Sequence, residues 1–187
     1  MSGTGTILEA IIESGTSVAV VAADRPCRGL DVAASAGVEA VLVDRRAWGG
    51  FGPAFDRAGY SAALASTLEE RHVQLVAMAG FGTVLGDAMH AAFPGRILNT
   101  HPSLLPAFPG WHAVEEALAA GVTATGCTVH VATLELDAGP VLAQEEVPVL
   151  ASDSVETLHE RIKAVERRLY PDTIRRLLVS LRAEGAV

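Results

Sequence analysis

A carboxamide and an imidazole stand two residues apart at Asn99 and His101. They open the run Asn99-Thr100-His101-Pro102-Ser103-Leu104-Leu105-Pro106-Ala107-Phe108-Pro109-Gly110. On an extended segment, side chains two positions apart leave the backbone on one face. Asn can donate hydrogen bonds to an oxygen gaining negative charge, and His can supply or accept a proton near neutral pH. Alone, such a pair also suits a structural role. A carboxylate in the turn Leu136-Asp137-Ala138-Gly139-Pro140 widens the chemistry. Amide, imidazole and carboxylate together can stabilise an oxyanion and carry a proton. We therefore expect Asn99, His101 and Asp137 to share one crevice.

The elements that must hold this trio are visible as a rhythm. Ser17 to Ala23, Val38 to Val43 and Val73 to Ala79 are apolar on successive positions, as strands buried on both faces are. Ile7 to Ser14, Leu30 to Ala36 and Ala58 to His72 carry helical patterns between them, and Arg96 to Thr100 suits a fourth short strand. Alternating strands and helices imply an α/β fold: a single-domain, Rossmann-like, mostly parallel sheet with helices on both faces. In such folds ligands bind beyond the carboxyl ends of the strands, where Asn99 and His101 fall. The later chain changes character. Thr123 to Thr133 and Pro140 to Val149 suit mixed or antiparallel strands joined around Asp137. Ser154 to Arg182 is a long amphipathic pattern with Val155, Leu158, Ile162, Val165 and Leu169 on one stripe. Pro171 inside it predicts a break or kink near Tyr170.

Composition narrows the classes. The 187 residues are 50% hydrophobic and 19% charged, enough for one domain over 1–187 with a sizeable core. Twenty-two acidic against fourteen basic residues give a net charge of −8, which disfavours nucleic-acid or anionic-membrane partners. No apolar run reaches the roughly 18 residues of a membrane helix, and no secretory signal opens the chain. Cys27 and Cys127, a hundred positions apart, suit two buried thiols in a reducing cytoplasm. The six histidines show no paired metal-ligand spacing, so no metal is expected. His72, His90 and His159 suit helix surfaces, His112 a helix start, and His130 a position behind the reacting groups.

Two segments remain ambiguous. Gly3-Thr4-Gly5 precedes the first helical pattern and could offer free amides and the helix dipole to a phosphate. Asp24 lies about twenty residues on, as a ribose-binding acid would, but Leu8 stands where a dinucleotide fingerprint needs its third Gly. Nicotinamide binding is therefore disfavoured. Trp48 to Asp56, rich in Gly and aromatic residues, suits either a surface loop or a ligand wall.

NTHPSLLPAFPG, HAVEEALAAGVTATGCTVH, LDAGPVLAQEEVPV and LHERIKAVERRLYP together resemble the folate-dependent phosphoribosylglycinamide formyltransferase family. The likeness runs in order from Gly3 to about Pro171. Methionyl-tRNA formyltransferase and formyltetrahydrofolate deformylase share the Asn-x-His and Asp design but resemble this chain less. The resemblance implies formyl transfer from 10-formyltetrahydrofolate to the amine of glycinamide ribonucleotide in the cytoplasm, by a monomer or homodimer, without metal. It implies catalysis by Asn99, His101 and Asp137. Gly5, Thr6 and Ile7 match its phosphate loop and Glu166 its ribose-binding acid. Arg57 matches a folate-contacting arginine. Gly82, Thr83, Val84 and Leu85, and Thr133, Leu134, Glu135, Leu136 and Asp137, match two stretches around the pterin, with Asn99 beside them.

Two departures from the family pattern stand out. The family reads Met-Arg-Ile-Leu where this chain has Gly82-Thr83-Val84-Leu85, so an arginine on the folate side is lost. The family's central first strand is missing ahead of Ser2. That predicts either a start downstream of the natural one or a disordered phosphate loop. The rival functions are a formyltetrahydrofolate hydrolase, a formyltransferase for another amine, and a non-catalytic nucleotide- or folate-binding remnant.

Overall fold

A computed structural model of the chain describes Met1 and residues 3–183. It is a mixed α/β structure made of two compact units, Met1–Ile97 and Leu98–Val187.

In the first unit, β1 (Val20–Ala23) and β2 (Glu39–Leu42) pair in parallel, with Val20 opposite Glu39 and Ala23 opposite Leu42. Helices α1 (Thr6–Glu13) and α2 (Arg28–Ser35) accompany them. α1 buries Ile7, Leu8 and Ile11, the spacing of one helical face. Leu8 joins Met1, Val21, Ala23 and Ala33 in a core that Val32 and Cys27 partly cover. Met1 makes the two hydrogen bonds of a parallel ladder beside β1, donating to the Ala22 carbonyl at 2.6 Å and accepting from the Asp24 amide at 3.2 Å. The Gly3 to Gly5 loop is held in place: the Gly29 amide donates to Gly3 O at 3.3 Å and Arg28 to Thr4 O at 2.5 Å. A 3-10 turn (Arg45–Trp48) leads to α3 (Arg57–Glu69), a two-residue β3 (Val76–Ala77) and α4 (Asp87–Ala92). β3 is far shorter than the run from Val73 to Ala79 suggests.

The second unit is built on antiparallel pairing. β4 (Ile97–His101) pairs with β5 (Ala124–Val131), and β5 with β6 (Val141–Pro148). Helix α5 (Ala113–Ala119) follows the proline-rich run, and α6 (Val155–Ala183) packs on β5 and β6. Of the break or kink expected near Tyr170, the break does not occur, since α6 runs through Pro171 uninterrupted. The reason is tertiary. Leu169, Tyr170, Pro171, Thr173 and Ile174 are all buried, and the Tyr170 hydroxyl donates to Leu98 O at 2.9 Å. That packing holds the helical path where Pro removes a backbone donor.

The cysteines carry no disulfide. Cys127 is buried, which pushes its thiol up to about 12; Cys27 is only half-buried, a correction to the pair of buried thiols expected above. Among the described residues no helix is long and apolar enough to cross a membrane.

Candidate active site

The β4–β5 register assembles the site. Asn99 lies opposite His130 and His101 opposite Thr128, so the four side chains share one face of the ladder. Asn99 Nδ2 meets His130 Nε2 at 3.2 Å, and His130 Nδ1 meets Val131 O at 3.1 Å. A carbonyl can only accept, so Nδ1 carries the proton; Nε2 then accepts, and the amide nitrogen of Asn99 must face it. His130 is buried, and that burial, more than its partners, holds it below the usual histidine range. A neutral imidazole thus fixes the orientation of the Asn99 carboxamide and leaves its second N–H free.

His101 is 5% exposed, with Nε2 at 2.7 Å from Phe108 O and Nδ1 at 3.3 Å from Asp137 Oδ2. Both ring nitrogens thus face oxygen atoms. Asp137 Oδ2 also accepts from the Gly110 amide at 2.9 Å. Its Oδ1 lies 3.6 Å from His130 Nε2, beyond hydrogen-bond range, and so keeps accepting capacity. The carboxylate therefore sits between two imidazoles.

The proline-rich run is positioned from β5 and β6. Thr128 Oγ1 donates to Ser103 O at 2.7 Å and accepts from the Leu105 amide at 3.1 Å. Gln144 Nε2 donates to Leu105 O at 2.8 Å, and Ser103 Oγ to Ala107 O at 2.5 Å. These contacts set where Phe108 O and Gly110 N meet His101 and Asp137.

The Asp137 turn is equally constrained. Asp137 has φ 54°, a left-handed conformation that Asp tolerates better than most residues. A Cβ on Gly139 would lie 1.8 Å from Val131 O, so only Gly fits there. Gly139→Ala is expected to displace this turn. It should cost about 1–3 kcal/mol in urea unfolding, as overpacking does, and lower kcat/KM at least tenfold in a steady-state assay. An alanine variant with unchanged activity would disconnect the turn from the site.

The remaining expected site residues divide between the units. In the second, Thr100 Oγ1 donates to Glu166 Oε1 at 2.5 Å. Strand alternation puts Thr100 on the face of β4 opposite Asn99 and His101. Desolvation raises the Glu166 carboxyl above its ordinary range, with the Thr100 bond acting the other way. Thr133 to Leu136 form the exposed approach to Asp137; Leu134 and Leu136 are exposed, and Thr133 Oγ1 donates to Glu135 O.

In the first unit, Gly5 caps α1 at φ 82° without a side-chain bond. A Cβ there would press on Gly29 Cα at 3.1 Å. The amides of Thr6 and Ile7 are thus left for another acceptor. Arg57 is exposed as the first residue of α3, with its stem beside Gly86, next to Leu85. Thr83 and Leu85 are buried, while Gly82 is exposed. Asp24 is fully buried against Arg25 and Thr83, which removes it from ribose recognition. Among the described residues no group of three or more His, Cys, Asp or Glu could hold a metal.

Thr128 and Gln144 are the parts that sequence reasoning left without roles, and His130 was expected only as a position behind the reacting groups. Their signal was the antiparallel pairing itself, which sets His130 and Thr128 opposite Asn99 and His101.

A formyl transferase family profile matches residues 1–174. The chain belongs to the formyl transferase family. This formyl transferase is 43% identical over 179 residues to the phosphoribosylglycinamide formyltransferase of Mycobacterium tuberculosis (strain CDC 1551 / Oshkosh), covering 90% of this chain and 78% of that one. It is 38% identical over 194 residues to the trifunctional purine biosynthetic protein adenosine-3 of Bos taurus, covering 100% of this chain but 18% of that longer protein. The crystal structure of glycinamide ribonucleotide transformylase 1 from Symbiobacterium toebii matches with TM-score 0.89 and 46% identity, covering 99% of this chain and 85% of that one. The formyl transferase shares the Rossmann-like α/β fold of these enzymes.

Proposed function

We propose that this formyl transferase moves the formyl group of 10-formyltetrahydrofolate to the amine of glycinamide ribonucleotide in de novo purine synthesis, its formyltransferase domain spanning 1–187. The observation that carries the reading is that Asn99, His101 and His130 share one face of β4 and β5, with the Asp137 carboxylate beside both imidazoles. The amine nitrogen attacks the formyl carbon, a new N–C bond forms, and the oxygen gains negative charge. The free N–H of Asn99 suits that oxygen; a donor of this kind is worth about 3–4 kcal/mol at the transition state. The bond from carbon to the folate nitrogen then breaks, and the proton lost by the amine must reach that nitrogen. His101 and Asp137 suit this transfer, with the open Oδ1 of Asp137 able to hold a shuttling water.

Gly5, Thr6 and Ile7 would receive the ribonucleotide phosphate and Glu166 its ribose hydroxyls. Arg57, Gly82 to Leu85 and Thr133 to Asp137 would hold the folate. The protein would act in the cytoplasm, as a monomer or homodimer. Incubating 10-formyltetrahydrofolate with the enzyme, with and without the ribonucleotide, tests the reading. Formyl glycinamide ribonucleotide should form in step with loss of donor. Loss of donor without acceptor would instead make it a hydrolase.

A further inference from the structure

Arg45 carries a guanidinium whose hydrogen-bond partners are neutral. Its Nε donates to Gly50 O at 2.7 Å and its Nη1 to Thr83 Oγ1 at 2.8 Å. Among the described residues no carboxylate lies within ion-pair distance of it, although the chain carries a net charge of −8. The neighbouring acid, Asp24, is fully buried and already bonded: Arg25 Nε reaches its Oδ1 at 3.1 Å, and Thr83 Oγ1 reaches its Oδ2 at 3.4 Å. Two of the five N–H donors of Arg45 are thereby used and three remain for an acceptor.

The group is also held rigidly. Its carbon lies 3.7 Å from the centre of the Phe55 ring and 4.7 Å from that of Phe51, with Arg25 3.9 Å from the same Phe51 ring. Phe55 in turn packs on Tyr60, its ring centroid 5.6 Å away. Phe51 is 51% exposed, so the cluster opens to solvent on one side. A pre-set guanidinium fork beside an exposed aromatic ring suits a ligand that joins an aryl group to carboxylates.

Resting on the function proposed above, the donor offers that chemistry: a benzoyl ring linked to glutamate carboxylates. Thr83 stands where the resemblance leads one to expect an arginine, and Arg45 reaches Thr83 from a different segment. We infer that Arg45 binds the glutamate carboxylates of the formyl donor, supplying from the 3-10 turn the guanidinium that position 83 lacks.

The test compares wild type with Arg45→Met, using 10-formyltetrahydrofolate and its analogue lacking the glutamate, 10-formyltetrahydropteroate. The variant should raise KM for the glutamate-bearing donor about tenfold, the size of one lost charge-assisted contact, with kcat within twofold. KM for the glutamate-free donor and for the ribonucleotide should stay as in wild type, and Arg45→Lys should recover part of the loss. An equal rise for both donors would make Arg45 structural, and a rise for the ribonucleotide would assign the anion to its phosphate; either overturns the inference. Salt offers a reading without mutation. In wild type, KM for the glutamate-bearing donor should climb with ionic strength more steeply than for the glutamate-free one, and parallel slopes overturn the inference. Absence of ribonucleotide formylation by wild type would refute the proposed function instead. Calorimetry with tetrahydrofolate and tetrahydropteroate then still reads Arg45: a wild-type preference for the former that Arg45→Met abolishes is the expected result, and equal preference in both proteins is the contrary one.

Discussion

Asp137→Asn should lower kcat for formyl transfer by about a thousandfold, within the range typical of a lost proton-transfer group. The amide keeps the size of the carboxylate and can still accept from the Gly110 amide, so the turn should hold. What disappears is the negative charge 3.3 Å from His101 Nδ1 and the acceptor at Oδ1. KM for both substrates should move by no more than a few-fold, and the melting temperature by a few degrees. Steady-state kinetics beside a thermal melt would check this. Retention of a tenth of the wild-type kcat would remove Asp137 from the proton path.

Tyr170→Ala should be the most damaging single change to stability, at about 3–5 kcal/mol in chemical denaturation. Its ring is fully buried on α6 and its hydroxyl donates to Leu98 O, in the strand that carries Asn99 and His101. Tyr170→Phe isolates the hydroxyl and should cost about 0.5–1.5 kcal/mol. A loss below 1 kcal/mol for the alanine variant would mean that Pro171 is accommodated by something other than this packing. If the packing account holds, activity should fall in the alanine variant only as far as the folded population falls.

The outline of the fold was legible because β-branched runs and helical stripes fall in alternation. Helices α1, α2 and α3 and strands β1, β2 and β4 lie close to the expected segments. Pro171 does not break α6 because local backbone preference is weaker than the burial of Leu169, Tyr170 and Ile174 around it. β3 shrank to two residues although Val73 to Ala79 is apolar but for Gln74, since a strand needs hydrogen-bonded partners, which composition does not specify. Within the site, Asn99, His101 and Asp137 were visible from residue type and spacing. His101 and Asp137 lie in direct reach of one another, and Asn99 meets His130 across the ladder. The roles of His130 and Thr128 depend on cross-strand register, and that of Arg45 on a contact with a residue 38 positions away. Such information exists only once the chain has folded.

A five-residue strand with different partners on its two faces also limits how this enzyme can vary. One residue inserted or deleted within β4 would exchange the faces, turning the amide and imidazole toward α6 and the threonine toward the carboxylate. Length changes in natural or laboratory lineages should therefore avoid β4 altogether. A deep insertion scan would display this as a sharp gap in tolerated positions.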